Sequence, residues 1–163
     1  MIRPLALVGG LVGAVALSQF PEFSQQYLQR LSGAVGELRI VVAGFDAAAL
    51  ASGRSREQAL DQMREDGFEG DLKATLTRSI ARFERLDADL ASLRAANPLE
   101  RLAQPWNMAD KDLITETWRD FRPAVPATTD GLITAGIGFG GGWLAISGLW
   151  ALVRRPFRRR SYG

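Results

Sequence analysis

Two uncharged apolar runs bracket a polar middle. Pro4–Phe20 (PLALVGGLVGAVALSQF) carries no charge over 17 residues, and Gly131–Val153 (GLITAGIGFGGGWLAISGLWALV) carries none over 23. At about 1.5 Å per residue the first helix would cover roughly 25 Å, slightly short of a hydrocarbon core near 30 Å, and the second could span it with some tilt. Between them the apolar period is helical. Leu28, Leu31, Val35, Leu38, Val42 and Phe45 step by 3, 4, 3, 4 and 3, a heptad seam on one long helix. Pro21 fits the first turn of that helix, and Gly53 ends it. Ser55-x-x-Gln58 matches a capping box and opens a short helix through Asp66. Its few apolar residues, Ala59, Leu60 and Met63, predict that it lies across the hairpin tip. A second long helix, from about Asp71 to Ala96, carries Leu72, Leu76, Ile80, Phe83, Leu86, Leu90 and Leu93, and Asn97-Pro98 stops it. After Pro105 and Trp106, Asp110 is a cap for an amphipathic helix over about 111–122 with the stripe Leu113, Ile114, Thr117, Trp118 and Phe121. Pro123 to Pro126 predicts a stiff link, and Thr129 or Asp130 can cap the final apolar helix. No strand pattern and no internal repeat is visible; the β-branched RIVV at 39–42 sits inside the heptad register.

These elements predict an all-α fold: two transmembrane helices flanking an extracytoplasmic antiparallel helical hairpin or bundle. The linear division is a first span at 4–20, a hairpin domain at 21–130, a second span at 131–153 and a basic tail at 154–163. Leu31, Val35, Leu38 and Val42 should face Ile80, Phe83 and Leu90 in the hairpin core, with arms roughly 35–45 Å long. The first span also fits a second reading, a signal peptide with an A-x-A site at Ala14-Val15-Ala16 behind Arg3.

Charge adds a direction to this picture. The net charge of the 163 residues is +2, but all 18 acidic residues lie between Glu22 and Asp130 together with 14 of the 20 basic ones, leaving that stretch at 14 − 18 = −4. Arg154, Arg155, Arg158, Arg159 and Arg160 follow the second span. Cytoplasmic flanks carry the excess of Arg and Lys, so both termini are expected in the cytoplasm and 21–130 in the periplasm of a bacterial inner membrane. Phe20, Trp118, Phe121, Trp150, Arg154 and Arg155 are the expected membrane-interface residues. The arginine tail should touch anionic lipid headgroups; no nucleic-acid partner is expected from so short a segment.

Gly136-x-Gly138-x-x-Gly141 matches a dinucleotide-binding fingerprint literally. That motif needs a strand before it, an amphipathic helix after it and an acidic residue about 20 positions on. Here the glycines lie inside one apolar run. Gly136/Gly140 and Gly138/Gly142 instead form small-xxx-small ridges, and Gly9/Gly13 repeat the spacing in the first span, so the two spans are expected to pack through them; a helix of another protein is the other candidate occupant.

Catalytic chemistry has little to stand on. The chain has no Cys and no His, which removes disulfides, thiolate sites and the commonest general base and metal ligand. No nucleophile has a visible base beside it, and no ionisable residue lies inside either span. REDGFEGD at 64–71 gathers Glu65, Asp66, Glu69 and Asp71 but lacks the calcium-loop spacing and reads as a solvated turn. Arg78, Arg82 and Arg85 share a helical face; Arg85 can pair with Asp89 one turn on. No enzyme activity, no cofactor and no metal are expected.

The segments ALSQFPEFSQQYLQR (16–30) and WRDFRPAVP (118–126) resemble a family of small proteobacterial inner-membrane proteins classed only as a domain of unknown function. The resemblance implies two spans and supplies no catalytic residues. It places SQFPEF and WRDFRPAVP at the extracytoplasmic interface, where they are expected to pack as a collar. The expected role is an accessory or assembly subunit of a larger membrane complex, an energy-transducing one among the candidates, with a membrane-protein partner or a second copy. The alternative is a periplasmic helical-bundle sensor that signals through a partner protein.

Overall fold

Helices form where the apolar period is helical and stop at the residues that cannot continue them. In the computed structural model, which describes residues 2–123 and 128–154, the order is α1 (Ile2–Ser18), α2 (Phe20–Ala51), α3 (Arg56–Gln62), α4 (Gly67–Ala95), α5 (Pro98–Leu102), a 3-10 turn (Pro105–Met108), α6 (Lys111–Asp120) and α7 (Thr129–Arg154). No strand occurs among the described residues. The link at 124–127 and the tail from 155 on, including Arg155, lie outside the described residues, as does the side chain of Arg154.

The chain divides into two compact units. The first comprises the stretch up to Gln25, Pro98–Ala103 and the stretch from Trp118 on; the second comprises Gln26–Asn97 and Gln104–Thr117. In the first unit, α1 packs along α7, and α5 also contacts α7. A single residue separates α1 from α2: Gln19 donates its backbone N–H to Ala16 O at 3.4 Å, and Phe23 donates to Gln19 O at 3.0 Å. Pro21 falls in the first turn of α2, where its missing N–H leaves no broken bond. At the other end Thr128, one residue before α7, accepts Gly131 N–H on its Oγ1 at 3.1 Å. That cap lies just ahead of the two positions the sequence suggested, because the helix starts at Thr129 itself.

In the second unit the buried face of α2 carries Tyr27, Leu31, Val35, Val42 and Ala49, with Leu38 and Phe45 half-buried between them. From α4 it receives Ile80, Leu86, Leu90 and Leu93 as buried residues and Phe83 as a half-buried one. Gly53 ends α2 in a left-handed conformation at φ 72°, with Gly53 N–H bonded to Leu50 O and Arg54 N–H to Ala49 O, both at 2.9 Å. This is the Schellman arrangement, which satisfies carbonyls the helix leaves open. Ser55 opens α3 with a full capping box: Gln58 N–H donates to Ser55 Oγ at 3.2 Å, and Ser55 N–H donates to Gln58 Oε1 at 3.0 Å. No residue of α3 is buried. It is held instead by Arg56, whose guanidinium forks onto Asp46 of α2 at 2.7 and 2.6 Å and reaches Glu84 of α4 at 3.3 Å. Arg39–Asp87 at 2.8 Å and Arg94–Ser32 at 2.8 Å add further α2–α4 links. The second long helix begins at Gly67, earlier than the Asp71 read from the apolar period, because the first turn needs no buried residue.

Candidate functional site

Four glycines bring α1 and α7 into backbone contact. The two helices run antiparallel here, with Gly9 opposite Gly142 and Gly13 opposite Gly138. A Cβ added to Gly13 would strike Gly138 O, and one added to Gly138 would strike Gly13 O; Gly142 meets Gly9 O in the same way. A Cβ on Gly9 would lie 3.0 Å from Gly142 O and collide with the Ile146 side chain. Gly10 has the Phe139 ring over it, with ring atoms 2.8–3.1 Å from the place a Cβ would take. Gly136 and Gly140, the other ridge of α7, meet nothing within 4 Å. The reason for the difference is rotational phase: residues two apart on a helix point some 200° apart, so one face of α7 can serve α1 and the other cannot.

Apart from Leu17, Phe139 and Ile146, which border the glycine contact, many large side chains of both helices point the other way. Leu5, Leu7, Val8, Leu11, Val12 and Val15 of α1 are exposed, as are Leu132, Ile137, Trp143, Leu144, Leu149 and Leu152 of α7. Small residues inside and large apolar residues outside is the reverse of a water-soluble helix pair. It suits lipid, where close backbone packing replaces the hydrophobic drive. Two hydroxyls in this unit bond back to their own helix: Thr134 Oγ1, in a fully buried residue, donates to Asp130 O at 2.9 Å, and Ser18 Oγ donates to Val15 O at 2.8 Å.

Aromatic residues collect where the two quoted segments meet. Phe23 lies edge-on to Trp118 at 6.1 Å and to Phe121 at 5.7 Å, and Trp118 stacks on Phe121 at 6.2 Å. Trp118 remains 71% exposed, while Phe20, Phe121 and Trp150 are half-buried. Such ring pairs add about 0.5–1.5 kcal/mol each beyond area burial. The sequence signal is an aromatic residue at each span boundary, and Phe23, the last residue of SQFPEF, carries it too.

The second unit holds a polar node around Asp110. Its side chain is 6% exposed and accepts from Leu113 N–H at 3.2 Å as the cap of α6. Arg82 and Arg85 of α4 donate to its two oxygens at 3.2 and 3.3 Å, and Arg82 also stands 3.6 Å from Asp112. Arg85 therefore pairs with Asp110 rather than with Asp89, the partner helix spacing suggests. Asp89 is left half-buried, and burial pushes its carboxyl above the usual carboxylate range, with Arg85 pulling the other way. Tyr27, fully buried beside this node, has its hydroxyl pushed up to about 12, chiefly by burial. That hydroxyl makes no full hydrogen bond, although the Asp110 backbone amide lies near enough to act on it. Sequence reasoning saw Asp110 only as a cap. The arginine pair was visible; its target was not, because it lies 25 and 28 residues away.

REDGFEGD is a turn only over its first three residues, 64–66; from Gly67 on it is the first turn of α4, and ion pairs Arg64–Asp66 at 2.9 Å and Lys73–Glu65 at 3.4 Å hold the junction. Among the described residues no group of three or more His, Cys, Asp or Glu side chains could hold a metal ion. A cleft of about 360 Å³ lies between α2, α3 and the start of α4, with Phe45, Ala49, Ala59 and Met63 on its walls and Arg54 and Glu69 among its polar residues.

The arrangement defines a class: an all-α protein in which two helices, Thr129–Val153 and the run from Arg3, are long and apolar enough to cross a membrane. Comparison narrows this to a family. The chain belongs to the family described as protein of unknown function (DUF2937), whose model matches residues 1–159. No curated protein and no solved structure matches it.

Proposed function

We propose that this is a non-catalytic two-span inner-membrane protein that exports a helical hairpin and serves as an accessory or assembly subunit of a larger membrane complex. The observation that carries the reading is the glycine-packed pair α1–α7 with its large apolar side chains turned outward. A surface of that kind is soluble only in lipid. On the hairpin, Ile40, Val41 and Leu50 of α2 are exposed singly on different sides of the helix. The C-terminal arginines fit a cytoplasmic end that touches anionic lipid, and 21–130 would then lie in the periplasm.

Two measurements test this. Single cysteines introduced near Glu69 and at Ser161, in a chain that has none of its own, should be labelled by an impermeant thiol reagent from the periplasmic and the cytoplasmic side respectively. Purification in mild detergent followed by mass spectrometry should recover membrane-complex subunits in fixed ratio; recovery of this chain alone would remove the accessory role. The cleft beside Phe45 and Met63 supports the second reading, a periplasmic sensor acting through a partner, and protection of the hairpin from proteolysis by one small ligand would favour it.

A further inference from the structure

An apolar groove of about 650 Å³ runs along the seam between α1 and α7. Gly9, Gly13, Gly142 and Ala145 form its low floor, and Leu5, Val8, Val12 and Ile146 form its walls. It extends along α1 from Pro4 to Gly13, a separation of roughly 14 Å at helical rise. One leaflet of a bilayer is about 15 Å deep, half of a 30 Å hydrocarbon core. The groove is therefore one leaflet long. A third transmembrane helix would need a channel twice that length, whereas one acyl chain needs no more than this.

The end of the groove at Pro4 also differs in charge. Arg3 precedes it, is exposed, and has no ion-pair partner among the described residues. The first turn of α1 contains no acidic residue, so its open backbone N–H groups add to the positive field there. We propose that the groove seats one acyl chain of an anionic phospholipid, with Arg3 and the start of α1 facing its phosphate. This rests on the membrane reading above and adds to it a defined lipid site in the leaflet next to the N-terminus.

The geometry explains why the floor is built of glycine. A Cβ at Gly9 or Gly142 would run into the facing helix, at Ile146 and Gly142 O or at Gly9 O, and would push the two helices apart, breaking the floor. It also assigns separate roles to Val12 and Arg3: the first sets the width of the slot, the second the choice of headgroup.

The test uses the full chain extracted in mild detergent and examined by native mass spectrometry, after exchange and addition of either phosphatidylglycerol or phosphatidylcholine. One retained phosphatidylglycerol per chain is expected. Val12→Phe, which fills the slot from an exposed position, should weaken retention at least about tenfold, while Leu144→Phe, an exposed residue outside the groove, should not. Arg3→Gln should keep a lipid but narrow the preference for phosphatidylglycerol about fivefold, the effect of one basic residue at a headgroup. The site is overturned if no lipid is retained, if the two phenylalanine variants behave alike, or if phosphatidylcholine binds equally. A cysteine at Val12 that crosslinks to another protein chain would overturn it in favour of a helix. Failure of the membrane reading looks different: the chain would then leave the membrane fraction in alkaline carbonate without detergent.

Discussion

Gly138 and Gly140 lie two residues apart on one helix, and alanine at each should change stability with opposite sign. At Gly140 a methyl group enters open space. The only effect is helix propensity, which favours alanine over glycine by about 0.8–1 kcal/mol in water-soluble helices and less in lipid. At Gly138 the same methyl group runs into Gly13 O, and the Gly13 carbonyl carbon lies 2.6 Å from it, against an ordinary contact of 3.4–4 Å. Backbone cannot rotate away as a flexible side chain can, so α1 and α7 must separate by close to 1 Å. A radial gap of 0.5–1 Å forfeits a quarter to a half of each dispersion contact, and overpacking of this kind costs about 1–3 kcal/mol. After the propensity gain, Gly138→Ala should destabilise by about 1–2 kcal/mol, and Gly140→Ala should be neutral or stabilising by up to about 1 kcal/mol. The assay is reversible unfolding of the purified chain in mixed micelles by titration with a denaturing detergent, read by circular dichroism. Gly13→Ala should match Gly138→Ala, and the double variant should cost less than the sum, since the first separation has already made room for the second methyl group. Equal effects at positions 138 and 140, or strict additivity of 13 and 138, would refute the backbone-contact argument.

Other expectations follow from the second unit. Asp110→Ala removes the cap of α6 and leaves Arg82 and Arg85 without their carboxylate; thermal unfolding should show a loss of about 2–4 kcal/mol, of which Asp110→Asn restores the capping part only. Asp89→Asn should raise the melting temperature at neutral pH, because the folded protein holds that carboxyl above its unfolded range; the gain should vanish as pH falls below the unfolded value, where the native carboxyl is protonated in both states. Asp46 runs the opposite way: its hydrogen bond with Arg56 lowers it, so the stability it contributes is present above the unfolded value and lost on acidification through the folded one, and Asp46→Asn should flatten the acid limb of a stability–pH curve. Gly53→Ala, at φ 72°, should cost about 1–2 kcal/mol of hairpin stability in a chemical denaturation experiment.

Much of this architecture was legible because burial imposes a period. Leu31, Val35 and Val42 are buried for the same reason that they recur by threes and fours, and Gly53 and Ser55 mark helix ends through backbone chemistry that no tertiary contact has to supply. What the period hides is polar residues that lie in phase with it. Ser24 and Tyr27 fall seven and four residues before Leu31, on the same face, and both are buried. Ser24 can enter because its Oγ bonds back to Pro21 O at 2.8 Å, and Thr117 does the same with Leu113 O at 2.6 Å. Reading the seam by position rather than by residue type would have found them.

The glycine ridges show where local information ends. Gly136/Gly140 and Gly138/Gly142 have identical spacing and nearly identical neighbours, so sequence proposes both and cannot rank them. In the arrangement adopted, the second ridge faces α1, and Ile146 and Phe139 close over Gly9 and Gly10 beside it. Arg85 makes the same point with charge: Asp89 is the nearer carboxylate along the helix, but Asp110 is almost enclosed and offers a fixed, poorly hydrated acceptor. A cation gains more from such a partner than from an exposed one, since water competes less for it. The physical rule shared by both cases is that spacing nominates the pairs, and the space left by a third element selects among them.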